Sequence, residues 1–146
     1  LENADVIRCS QEIVPWMVSV FCRSQAALAL NRLQAVIAEG HAADVPRLRR
    51  KARKCCRALL RQTHKVAQHR TEALCMMGVY CWLIRKRRPA LQWWQKSIRV
   101  GEHMGARIAL SRTYAEVGLR LAEPESPHTL LPVDHAAGFK GAHGFT

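Results

Sequence analysis

Acidic residues are scarce in this sequence. Eleven Asp and Glu stand against 23 Lys and Arg, leaving a formal charge of +12. Between positions 45 and 100 a single acid, Glu72, faces 16 basic residues. Acids this thin supply no carboxylate pair beside a histidine, and no Ser-His-Asp order carries supporting turn chemistry. His64 and His69 are five apart, which keeps them off one helical face, while His103, His128, His135 and His143 fall at a helix end or in the tail. A phosphate-cradling Gly-x-x-x-x-Gly-Lys-Ser/Thr loop is missing as well. The chain is therefore expected to have no catalytic residues and no cofactor of its own.

Other absences bound the class. No stretch alternates apolar and polar residues as a half-buried strand must. The longest charge-free apolar run, 13–22, contains Pro15 and stops at Arg23. It is too short for a membrane span of about 20 residues, and no basic n-region or cleavage site marks it as a signal peptide. None of the six cysteines forms a Cys-x-x-Cys pair; Cys75 and Cys81 lie about 240° apart on a helix, and adjacent Cys55 and Cys56 do not readily chelate one metal. Reduced thiols, no metal and a cytoplasmic location are the expectation. Because the chain opens on Leu1 amid structured-looking sequence, it is expected to be a segment of a longer protein.

What remains is helix. Apolar residues make up 49% of the chain, enough for a core. Pro, Gly and polar clusters cut it into five helix-length pieces. The first spans 15–39 with Pro15 in its opening turn and Gly40 closing it. A second spans 44–68, capped by Asp44 with Pro46 in its first turn. A third is capped by Thr71 and ends in the basic run 85–88. Pro89 opens a fourth, ending near Gly101 or Gly105, and a fifth spans 106–122. Residues 1–122 are expected to form the helical domain, and 123–146, with no period, an irregular tail.

The second piece has the clearest pattern. Leu48, Ala52, Cys55, Leu59, Thr63 and Val66 line one face at steps of three and four. Arg50, Lys54, Arg57, Arg61 and Lys65 line another. With Arg85, Lys86, Arg87 and Arg88 at a helix–helix turn, these nine make the candidate binding face, and Trp82 and Trp93 are candidate aromatic anchors. Such a face suits a protein partner with an acidic surface, or another domain of the parent chain. Nucleic-acid phosphates are the alternative, and a membrane surface a third option.

Internal repetition adds a resemblance. Counting Thr71 as first, Leu74 falls fourth, Met77 seventh, Gly78 eighth, Ala90 twentieth, Trp94 twenty-fourth and Ser97 twenty-seventh. Residues 71–103 thus resemble one tetratricopeptide (TPR) unit, with Gly78, Ala90 and Ser97 permitting close helix contact and Leu74 and Trp94 filling the space between. Ala52, Cys56 and Leu59 repeat the second-helix positions 38 residues earlier. Tyr114, Val117 and Gly118 repeat Leu74, Met77 and Gly78 40 residues later, a period longer than the usual unit of about 34. Across 46–125, Tyr80, Trp82, Ala90, Leu91 and Trp94, with Gly101-Glu102, Met104-Gly105-Ala106, Leu110, Arg112-Thr113-Tyr114, Glu116, Gly118 and Leu121, resemble the C-terminal helical repeats of multidomain signalling proteins. Those proteins join an ATPase module to a nucleotide-cyclase or kinase domain. The resemblance implies an all-α solenoid of antiparallel hairpins, acting as a signal-transduction scaffold through the groove between repeats, and it transfers no catalytic residue.

Overall fold

The computed structural model describes residues 15–64 and 69–122. Within them the chain is all-α: α1 (Pro15–Ala38), α2 (Val45–Gln62), α3 (Arg70–Leu83), α4 (Arg87–His103) and α5 (Arg107–Ala122). Helices α1 and α2 pack as one pair and α3 and α4 as another, while α5 packs on α4 and α3. Cross-helix contacts fix the directions. Cys56 of α2 meets the Met76 carbonyl of α3 at 4.0 Å, and Arg49 bonds to Tyr80. Ser97 of α4 meets Thr71 of α3, and Thr113 of α5 meets Ser97. Each pairing runs antiparallel, so the three odd-numbered helices point one way and the two even-numbered ones the other.

Small residues set the spacing. Ala26, Ala29, Ala52, Ala73 and Ala90 are buried, and between them sit Leu30, Leu33, Leu48, Leu59, Leu74 and Met77. Trp94, 1% exposed, lies directly on Gly78: a Cβ there would fall within overlap distance of the indole Nε1 and Cδ1 and 2.9 Å from Cε2. On α2 the buried line is Leu48, Ala52, Cys56, Leu59 and Thr63; Cys55, expected on that face, is only half-buried, one position off the step that keeps the line straight. Behind α4 a polar node joins three helices. The Ser97 hydroxyl donates to the Thr71 carbonyl at 2.7 Å and meets Thr113 Oγ1 at 3.1 Å, with all three residues fully buried.

The helix ends correct several expectations. Asp44 occupies the N-cap of α2 but makes no side-chain cap; its carboxylate accepts from Arg47 at 3.3 Å instead. Thr71 lies inside α3, behind His69 at the N-cap. Helix α2 ends at Gln62 rather than near 68; Lys65 and Val66, like the tail 123–146, lie outside the described residues. The run 85–88 does not end α3. That helix stops at Leu83, Arg85 turns the chain at φ +63, and the Lys86 amide donates back to the Cys81 carbonyl at 2.9 Å. Arg87 then starts α4, which leaves Pro89 in the first turn, where its missing N–H is harmless. Gly40 and Gly105 adopt the same left-handed conformation after α1 and α4.

Candidate functional site

The basic residues on α2 follow from its buried line. With Leu48, Ala52, Cys56 and Leu59 facing inward, Arg50, Lys54, Arg57 and Arg61 project outward, and all four are exposed. Among the described residues none of them forms an ion pair. Arg85, Lys86, Arg87 and Arg88 are exposed too.

The structure brings the two basic groups together at one end. Antiparallel packing places the start of α2 beside the end of α3, and α4 starts there as well. Two buried groups at that end sense both. Burial pushes the Cys81 thiol up to about 11, a rise that Lys86 of the turn and Arg53 of α2 partly offset. Burial likewise raises Tyr80, opposed by Arg49 and Arg53. One end of the molecule therefore gathers six Lys or Arg from positions 47–54 with the four at 85–88.

The two candidate aromatic anchors are half-buried. Trp82 tilts against Trp94, ring centroids 5.5 Å apart, and carries the Arg87 guanidinium 5.1 Å from its ring centre. Trp93 carries the Lys96 ammonium at 5.0 Å. Each presents a ring already occupied by a cation.

Sequence reasoning missed a second feature. A cleft of about 350 Å³ is lined by residues of the odd-numbered helices alone. Ala27, Met76, Val79 and Ala109 give it an apolar lining, with Cys75 beside them. At its polar rim Glu72 accepts from Arg23 of α1 at 2.8 Å and from Arg112 of α5 at 2.6 Å. Burial would raise the Glu72 carboxyl, but the two guanidiniums outweigh it and hold the group below its ordinary value. Two arginines thus share one carboxylate, and both retain exposure, 35% for Arg23 and 63% for Arg112. The neighbouring Glu116 is satisfied by Arg120 at 2.7 Å. The one signal in the sequence was Glu72 itself, the lone acid of a long basic stretch.

Two thiols near the cleft and the α2–α3 contact are poor nucleophiles: burial lifts Cys56 to about 12 and Cys75 to about 11. Comparisons with family models, curated proteins and solved structures returned no match for this chain.

Proposed function

We propose that this chain is a TPR-like protein-interaction module, a scaffold or interdomain regulator within a larger signalling protein, and that its cleft takes an acid-bearing segment of the partner. The observation that carries the reading is the cleft itself. It combines an apolar lining on three parallel helices with two guanidiniums, Arg23 half-buried and Arg112 exposed, that share a single carboxylate. An apolar side chain entering beside Met76 and Val79 would lose contact with water, while neighbouring carboxylates accept from Arg23 and Arg112. The repeat resemblance supports the same reading. Leu74, Met77, Ala90, Trp94 and Ser97 are buried, and each odd-numbered helix touches the next.

The test uses fluorescent peptides in which Asp or Glu alternates with Leu or Phe. Micromolar binding should weaken at least tenfold in Arg112→Glu, which adds a carboxylate at the cleft rim. It should persist in the α2 variant Lys54→Glu/Arg57→Glu. The opposite pattern, loss with the α2 change and persistence with Arg112→Glu, would remove the cleft from the reading.

A further inference from the structure

The basic end has no role in the cleft, since none of its residues lines it. Ten cations gather at that end, and the acids of the α1–α2 turn, Glu39 and Asp44, are engaged by His41 and Arg47. Their placement runs against the fold's own interest. Neither α2 nor α4 has an acid in its first turn, where the helix dipole favours one, and both have cations there instead. Arg85 also holds a left-handed conformation that Gly40 and Gly105 occupy at the comparable turns. A concentrated anion offsets the unfavourable charge at the two helix starts.

Three kinds of anionic partner differ in what else they need. A protein surface draws most of its affinity from apolar anchors, and among the described residues α2 exposes no large hydrophobic side chain. A membrane-bound amphipathic helix needs a free apolar face, and that of α2 is buried under α1 and α3. A nucleic-acid backbone needs only closely spaced cations. Arg50, Lys54, Arg57 and Arg61 run along α2 over twelve residues, about 17 Å of helix axis, and duplex DNA presents a charge about every 1.7 Å. The rings nearest the patch are Tyr80, which is buried, and Trp82, which is half-buried with Arg87 over its ring, so little aromatic face is left for base stacking. Contact through phosphates, without base readout, is what this surface can make.

We infer that the basic end, α2 together with the 85–88 turn, is a second binding site that engages the phosphate backbone of duplex nucleic acid without sequence preference.

The experiment titrates the chain with a 20-base-pair fluorescent duplex by anisotropy from 50 to 200 mM salt. If about six phosphates are neutralised, the log–log salt slope is about −5, and affinity falls on the order of a thousandfold over that range. Two variant sets, Arg50→Gln/Lys54→Gln/Arg57→Gln and Lys86→Gln/Arg88→Gln, should each shallow the slope by about 1 per lost contact. Arg112→Glu should leave the slope unchanged, and circular dichroism verifies that the variants stay folded. The inference is overturned if only one set changes the slope. It also fails if poly-glutamate or phosphatidylserine vesicles of equal charge displace the duplex at equal concentration, or if no binding survives at 150 mM salt. Because the peptide assay reads the cleft, either site can fail without the other.

Discussion

Gly78 and Gly118 both lie inside helices, α3 and α5, yet the structure gives them opposite futures under the same substitution. A Cβ at Gly78 would overlap the Trp94 indole, which is 1% exposed and cannot retreat. At Gly118 a Cβ would meet nothing within 4 Å. Ala is favoured over Gly in a helix interior by about 1 kcal/mol. At Gly118 nothing opposes that gain, so Gly118→Ala should stabilise by roughly 1 kcal/mol, or about 5 °C in Tm. At Gly78 the same gain is outweighed by overpacking at the upper end of the usual ~1–3 kcal/mol, because the clash is with a buried ring. Gly78→Ala should therefore destabilise by about 2 kcal/mol and lower Tm by roughly 10 °C. Urea unfolding followed by circular dichroism reads both. Pairing Gly78→Ala with Trp94→Leu, which removes the ring, should leave the two changes coupled by about 1 kcal/mol in the favourable direction. The reasoning is refuted if Gly78→Ala is as stable as the parent, or if both glycine variants move the same way.

Three further outcomes follow from the same geometry. Since the folded-state pKa of Glu72 is depressed, its contribution is present above the unfolded carboxyl pKa and is lost as pH falls through the folded value; Glu72→Gln should be less stable by about 1 kcal/mol at pH 7, and a gap in urea midpoint that does not narrow as the pH is lowered below the ordinary carboxyl range would contradict this. Arg85→Gly relieves the left-handed strain and should raise stability by about 1 kcal/mol in a thermal melt while weakening duplex binding; a lower Tm would show that the turn is unstrained. Iodoacetamide at pH 7.5 should label half-exposed Cys55 before Cys56, Cys75 and Cys81, whose raised pKa values leave almost no thiolate, and mass spectrometry should find those three modified only in denaturant.

Helix was legible from the sequence because its signals are local. Gly40, Pro89 and Gly105 act on their own turns, and each lies within two residues of a helix boundary or in a helix's first turn. The spacing of Leu48, Ala52 and Leu59 identified the buried face of α2 for the same reason. Where the expectation slipped, a tertiary or turn effect intervened. A basic run beside a proline gives no local sign that one of its arginines will take the left-handed position. The cleft was illegible for a different reason. Its three charged partners lie 49 and 40 residues apart in sequence, and only packing of α1, α3 and α5 brings them together. Composition counted Glu72 as a minority charge, whereas the fold makes it the centre of a site.

The separation between the two surfaces has a scale. Glu72 sits in the first turn of α3 and Arg85 just beyond its end, thirteen residues on, or about 20 Å along the axis. That exceeds twice the Debye length of about 8 Å at physiological salt. Charge changes at the 85–88 turn are therefore screened from the Arg23–Glu72–Arg112 rim, whereas Arg57 and Arg61, farther along α2, lie nearer the level of Glu72. The alternation of helices produces this arrangement. Odd-numbered helices line the cleft, the two even-numbered ones start at the basic end, and antiparallel pairing puts that end at the far terminus of α3. If both proposed sites are real, an acid-bearing segment in the cleft and a phosphate backbone at the 85–88 turn would bind at separate places on the molecule.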